Sequence, residues 1–264
     1  MSKTKGNVVD PDEILERFGA DALRLYVAFV APPEKEIEWT DTGLEGSYRF
    51  LARAWRLIDH WRDTIGGEGS DSSGKDAPLN PAERALRRKT HETIKRVTAD
   101  IEQRQQLNTA VSAMMELVNE LYAFSERTLT GAPGRRVDDA NQGEAERLET
   151  IRVVREAVDA LVRMLAPFVP HMAEEMWEML GHPGGLAAAT WPTFDADAAK
   201  AEEIIVPVQV NGKVRARLTV PAEAPAEDLE RLALADPAVK VHTAGKTVTK
   251  VVVAPGRLVS IVLG

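Results

Sequence analysis

Ile204-Ile205-Val206-Pro207-Val208-Gln209-Val210-Asn211-Gly212-Lys213-Val214-Arg215-Ala216-Arg217-Leu218-Thr219-Val220 is the stretch where the character of this sequence changes. β-Branched residues dominate it, and Asn211-Gly212 is a favoured two-residue hairpin turn because both central positions need a positive φ. The stretch therefore reads as two antiparallel strands. Downstream, Ala226 to Ala235 has the pattern of a short acidic helix, and Thr247 to Val253 and Leu258 to Leu263 form a second strand pair around Pro255-Gly256. The order ββαββ predicts a small α+β domain over residues 200–264. Period-two alternation places Val214, Ala216, Leu218 and Val220 on one side of the second strand and Lys213, Arg215, Arg217 and Thr219 on the other.

Working upstream, the texture up to about residue 182 is helical. Asp10-Pro11-Asp12-Glu13 is a helix start, with Asp10 as cap and Pro11 at the first helical position. Ile14, Leu15, Phe18, Ala22, Leu23, Leu25 and Tyr26 follow at helical spacings, predicting two short helices bent at Gly19. A segment from about Leu44 to Ile65 places Tyr48, Leu51, Ala52, Trp55, Ile58 and Trp61 on one face, with Arg49, Arg53 and Arg56 on the other side. Pro81 opens a helix to about Gln103, Asn108 caps another to about Thr128, and a further helical run spans Glu144 to Leu165. Pro167 and Pro170 interrupt the pattern before a last amphipathic segment to Leu180. Gly66 to Asn80 and Gly131 to Gly143 read as loose connections. The fold class is mainly α: a helical bundle over 41–190, preceded by connecting helices within 1–40 and followed by the α+β domain.

Composition narrows the functions. The 264 residues are 44% hydrophobic and 28% charged, which excludes wholesale disorder. No apolar run reaches the ~20 residues of a membrane span, and no signal core follows Met1, so a cytoplasmic location is expected. Cysteine is absent, which excludes disulfides, thiolate zinc ligands and thiol nucleophiles. Lys+Arg 33 against Asp+Glu 41 gives −8, which argues against indiscriminate nucleic-acid binding. The charge is segregated, however. Residues 204–222 and 237–264 contain no acid, while Lys213, Arg215, Arg217, Lys240, Lys246, Lys250 and Arg257 lie in or between the strands. Glu227, Asp228, Glu230 and Asp236 gather on the helix instead. A basic face on a small domain suits phosphate contact, and with no aromatic platform beside it favours shape over base readout. Arg84, Arg87, Arg88, Lys89, Lys95 and Arg96 make a second basic stretch, diluted by Glu83 and Glu92, and read as a solvated helix face.

Metal motifs are incomplete. His91-Glu92-Thr93-Ile94-Lys95 has lysine where a zinc-protease helix needs a second histidine, and His171-Met172-Ala173-Glu174-Glu175 lacks the closing histidine of the inverted motif. No metal site is expected, and His171 reads as a packed or capping residue. No glycine-rich phosphate loop follows a strand.

Met1-Ser2-Lys3-Thr4-Lys5-Gly6-Asn7-Val8-Val9-Asp10-Pro11 resembles the second signature of class I aminoacyl-tRNA synthetases, Lys-Met-Ser-Lys-Ser followed by Lys-Gly-Asn. The signature's first lysine would precede Met1, and Thr4 stands where serine is commoner. Phe18-Gly19-Ala20-Asp21-Ala22-Leu23-Arg24 is similar to the stretch linking that loop to the anticodon-binding bundle. Met164-Leu165-Ala166-Pro167-Phe168-Val169-Pro170-His171-Met172-Ala173-Glu174-Glu175-Met176-Trp177 resembles the Leu-Ala-Pro-Phe-x-Pro-His-x-x-Glu-Glu-x-Trp stretch of the leucine, isoleucine, valine and methionine enzymes. Val206 to Arg215 and Val253 to Val259 resemble the terminal domain of bacterial leucyl-tRNA synthetases.

The resemblance implies an ATP-dependent leucine–tRNA ligase of which this is the C-terminal portion, inactive alone. His-x-Gly-His, the nucleotide-binding sheet and the editing pocket do not occur here. It makes Lys3 the catalytic residue that stabilises departing pyrophosphate, with Ser2, Lys3 and Thr4 on the ATP phosphates. ATP is then a substrate, accompanied by Mg²⁺; ATP and leucine are met through the missing catalytic domain. tRNA-Leu is the partner, contacted by Lys213, Arg215, Arg217, Lys246, Lys250 and Arg257. Two alternatives stay open: a free-standing, non-catalytic tRNA-binding module, or another class I synthetase of the Ile, Val or Met type.

Overall fold

The computed structural model describes the chain except residues 1–8, 33, 36–38, 67–77, 131–143, 201–202, 223 and 255–256. The signature stretch and most of the two loose connections read from the sequence lie outside the described residues. The chain divides into two compact units, Met1–Ala199 and Lys200–Gly264.

The first unit is helical: α1 Pro11–Val30, α2 Asp41–Ile65, α3 Pro81–Ala99, α4 Leu107–Thr130, α5 Glu144–Leu165 and α6 Pro170–Met179. Asp10 caps α1 by accepting from the Asp12 N–H at 3.0 Å. As expected, α1 bends at Gly19, whose φ of 79° and ψ of 163° lie where side-chain-bearing residues are strained. α3 starts on a full capping box: Asn80 Oδ1 accepts from the Ala82 and Glu83 N–H groups, and Glu83 accepts the Asn80 N–H at 2.8 Å. The second Glu83 oxygen accepts the Thr150 hydroxyl of α5 at 2.6 Å, so this buried acid joins a helix cap to a helix packing contact.

Three expectations for this unit are corrected. α3 ends at Ala99, and Asp100–Arg104 form a wider π-type turn. The buried Asp100 carboxylate organises that turn, accepting from Arg104 at 2.9 Å and from the Thr109 hydroxyl at 2.6 Å. Asn108 is not a cap: α4 already begins at Leu107, and Ala110 N–H bonds Gln106 O. The Asn108 Oδ1 is buried with no partner. In α2 the core face is Leu44, Phe50, Leu51, Leu57, Ile58 and Trp61, whereas Tyr48 is 48% exposed and Trp55 half-buried. The aromatics mark the shoulder of the helix. Trp61 crosses the core to donate to Ser125 Oγ on α4 at 2.9 Å, and Met114, Leu117, Val118 and Leu121 of α4 are buried as the sequence implied.

The second unit is a four-stranded sheet, β1 Glu203–Val210, β2 Lys213–Pro221, β3 Val248–Ala254 and β4 Leu258–Leu263, in the order β2-β1-β4-β3. The β1–β2 and β3–β4 pairs are antiparallel and the central β1–β4 pair is parallel. Asn211 and Gly212 have φ of 47° and 77°, the double left-handed turn that the pair predicted. Between the strand pairs lie α7 Ala226–Ala235 and an unexpected short helix, α8 Pro237–Thr243. Asp236-Pro237 starts α8 just as Asp10-Pro11 starts α1, the Asp236 carboxylate accepting from Ala238 and Val239 N–H. Val206, Val208, Val210, Val220, Val259 and Ile261 pack under Leu229, Ala233 and Val239 as a separate core.

Candidate nucleic-acid interface

Each unit presents one surface of interest. In the first, two sequence motifs far apart in the chain meet. Asp21 on α1 accepts from the His171 ring Nδ1 at 2.9 Å and from the Met172 N–H at 2.7 Å, so it caps α6 from another helix. Three residues on, Arg24 donates to Pro167 O at 3.0 Å and Phe168 O at 3.2 Å, satisfying carbonyls of the turn that follows α5. One turn of α1 therefore holds both sides of the kink between α5 and α6, placing an anion at a helix start and a cation at a helix end. Sequence reasoning quoted both motifs and missed the clamp. Its signal was the i, i+3 pairing of Asp21 with Arg24 opposite a proline-broken helix.

Beside this clamp opens a groove of about 720 Å³ lined by Phe18, Tyr48, Trp55, Arg56, His171 and Glu175 among others. Phe18 and Tyr48 meet edge to face at 5.7 Å, and Arg17 lies 5.0 Å over the Phe18 ring. Of the α2 arginines, Arg49 pairs with Glu45 at 3.6 Å, and Arg53 donates to Asn119 at 2.9 Å and covers Tyr122. Arg56 stays exposed at the groove.

The basic stretch on α3 is internally engaged. Arg88 pairs with Glu92, Lys89 and Arg96 both reach Glu116, and Arg87 bridges Glu156 and Asp195 at 3.1 Å each. The Lys89 hydrogen bond, above all, holds the Glu116 carboxyl below its ordinary value. Burial pushes the Glu156 pKa up, but the His91 hydrogen bond and the Arg87 charge outweigh it and hold that carboxyl low.

In the second unit, the structure corrects the strand alternation. A β-bulge between Val208 and Gln209 makes Arg215 the extra residue of β2, opposite no single partner. Beyond it the register flips: Val214 opposes Gln209, and Lys213 opposes the buried Val210. Val214 therefore shares the sheet's open face with Arg217, instead of the core side with Ala216, Leu218 and Val220. Ile205 at 63% and Val262 at 41% exposure give that face an apolar middle, which Val214 at 47% and Val252 at 44% extend onto the edge strands. Its cations stand on the edge strands, Arg217 on β2 and Lys250 on β3, with two strands between them. Lys246 sits in the turn before β3 and Arg257 in the turn before β4. All six predicted contact residues of this unit are exposed, and among the described residues none makes an ion pair. The site is thus a cation-edged apolar sheet rather than one basic face. Ser2, Lys3 and Thr4 lie outside the described residues.

Among the described residues no helix is long and apolar enough to cross a membrane, and no cluster of three or more His, Asp or Glu could hold a metal ion.

A helical bundle followed by a small sheet unit is an arrangement shared with known proteins. Residues 83–230 match the anticodon-binding domain of tRNA ligases, and the chain belongs to that family. Residues 1–40 match the class I tRNA synthetases of the I, L, M and V group. The relatives are leucine–tRNA ligases: that of Geobacter sp. (strain M21) is 49% identical over all of this chain, and that of Oleidesulfovibrio alaskensis 45% over 99% of it. The chain spans 29–30% of the length of these relatives. Among solved structures, the Agrobacterium radiobacter K84 agnB2 LeuRS in ternary complex with tRNA and LeuAMS superposes with a TM-score of 0.78 at 31% identity, over all of this chain and 31% of its own. Mycobacterium tuberculosis methionyl-tRNA synthetase shares the fold over 69% of this chain and 36% of its own, with a TM-score of 0.57 at 18% identity.

Proposed function

We propose that this chain is the C-terminal portion of a leucine–tRNA ligase. Residues 1–40 carry the ATP-closing signature stretch and its connecting helix, 41–190 the tRNA-docking bundle, and 200–264 a tRNA-binding domain. The observation that carries the reading is likeness to leucine–tRNA ligases along the whole chain. The exposed cations of the sheet unit support it. In the ligase, ATP and leucine form leucyl-adenylate on a catalytic domain outside this chain, and the leucyl group passes to tRNA-Leu. Ser2, Lys3 and Thr4 meet the ATP phosphates, and Lys3 favours the charge that builds on departing pyrophosphate, so its contribution falls on the rate of adenylate formation. Lys213, Arg215, Arg217, Lys246, Lys250 and Arg257 contact tRNA phosphates, and the apolar centre of the sheet seals between them. The cytoplasm is the compartment in which this reaction would run.

The test is tRNA-Leu binding by the chain across a salt series. Lys213→Ala, Arg215→Ala and Arg217→Ala together should weaken binding and lower the slope of log K against log salt by about 0.7–0.9 for each lost phosphate contact. An unchanged slope would reduce these cations to guards against strand pairing at a sheet edge.

A further inference from the structure

The groove between α1, α2 and α6 gathers aromatic rings in a chain that is only 5% aromatic. Tyr48 and Trp55 stand two turns apart on α2, about 10 Å along one face of the helix. Phe18, beside the bend of α1, meets Tyr48 edge to face with 5.7 Å between ring centres, and Tyr48 remains 48% exposed. Single exposed aromatics are ordinary on a protein surface, whereas three lining one cavity make a platform. The cavity, about 720 Å³, falls in the ~300–1,000 Å³ range of small-ligand sites.

The charged groups around the platform are of both signs. Arg17 lies 5.0 Å over the Phe18 ring, Arg56 lines the groove from α2, and Glu175 lines it from α6. Arg56 and Glu175 are both exposed, and among the described residues neither has a hydrogen bond or an ion pair. Two opposite charges that leave each other unpaired suit a ligand carrying both complements. Asp21 accepts from His171 Nδ1 at 2.9 Å, so the α6 wall is set before any ligand arrives. A ligand matching this set has a flat ring for the aromatics, adjacent N–H donors for a carboxylate and an anion for a guanidinium. A guanosine nucleotide has all three: N1–H and the N2 amino group share one edge of the base, and phosphate flanks the sugar. Adenine and cytosine offer the amino group alone, and uracil a single ring N–H. An apolar side chain from a protein partner would fill the floor and leave both charges unanswered.

We infer that this groove receives one unpaired guanosine of the bound tRNA. The base lies across Phe18, Tyr48 and Trp55, its Watson–Crick edge meets Glu175, and a neighbouring phosphate meets Arg56. The inference rests on the reading above that the chain binds tRNA, and it adds a base-specific contact to the phosphate contacts of the sheet. Unstacked bases of loops and bulges are what proteins read in RNA, and aromatic rings hold them.

The experiment uses the 264-residue chain and a tRNA-Leu transcript probed with kethoxal, which attacks the N1–N2 edge of unpaired guanines. One reactive guanine should be protected by the wild-type chain and exposed again in Y48L/W55L, where leucine keeps apolar volume and loses the stack. The Kd of that variant should rise about tenfold with an unchanged salt slope, since no charge is removed. Arg56→Gln should instead lower the slope by about 0.7. Replacing the protected guanosine by inosine, which lacks the N2 amino group, should weaken binding to the wild type about tenfold and to Glu175→Gln less than about twofold. That change is made in the RNA, so misfolding of the protein cannot imitate it. Binding without a protected guanine, protection that survives Y48L/W55L, or inosine losses equal in wild type and Glu175→Gln overturn the base site alone. So does protection by the chain that disappears in a full-length ligase, which would give the groove to another part of that enzyme. A wild-type chain that binds no tRNA overturns the proposed function together with the site.

Discussion

Removing the Asp21 carboxylate should cost the helical unit about 2 kcal/mol, because it caps a helix to which it does not belong. Asp21→Ala deletes the acceptor of the Met172 N–H at 2.7 Å and of the His171 ring at 2.9 Å. An N-cap is worth about 1 kcal/mol, and a hydrogen bond to a charged group about 1.5–3 kcal/mol. The Asp21 side chain is 12% exposed and that of His171 76%, so water compensates the histidine and not the backbone N–H. Most of the loss should therefore fall on the cap. For a unit of this size 1 kcal/mol shifts the melting temperature by about 2–4 °C, so Asp21→Ala should melt about 4–8 °C lower. Asp21→Asn keeps an acceptor and should lose about half as much, and His171→Ala less than ~1 kcal/mol. Thermal and urea unfolding of the three variants would measure this. If His171→Ala costs as much as Asp21→Ala, the ion pair rather than the helix cap carries the energy, and the reasoning fails.

Other outcomes follow from single features. Gly19→Ala should destabilise by about 1–3 kcal/mol through backbone strain alone, since an added Cβ meets nothing within 4 Å; a neutral result would show that the bend is dispensable. Glu156 is held below its ordinary 4.5, so the stability it contributes is present above that pH and is lost as pH falls through the lowered value. Glu156→Gln should accordingly flatten the acid limb of a urea-stability profile, and an unaltered limb would contradict the assignment. In a full-length ligase, Lys3→Ala should slow ATP–pyrophosphate exchange by about 2.7–4 kcal/mol of barrier with leucine affinity preserved; weakened leucine binding at a normal rate would speak against its role. The chain by itself should show no leucine-dependent exchange.

The sequence by itself determined what is local. The Asp10-Pro11 start, the Asn211-Gly212 turn, the bend at Gly19 and the change from helical to alternating periodicity depend on neighbours in the chain, and each stands where it was read. The family was legible in the same way, because its motifs are contiguous. What required tertiary structure is what depends on partners distant in sequence. The periodicity of α2 could not say how far around the helix its neighbours would cover, so Tyr48 and Trp55 share the apolar face in the sequence and stand on its shoulder in the fold. Alternation could not register a bulge, since one extra residue at Arg215 shows only against the opposite strand, and it turns Val214 to the other face. Nor could charge counting show which cations are paired: Arg87 and Lys89 read as a solvated helix face until Glu156, Asp195 and Glu116 arrive from other segments. Asp21 and His171 stand 150 residues apart, and only folding brings that carboxylate to a helix start. Propensity is written residue by residue, whereas burial, register and charge compensation are properties of pairs that the chain must fold to make.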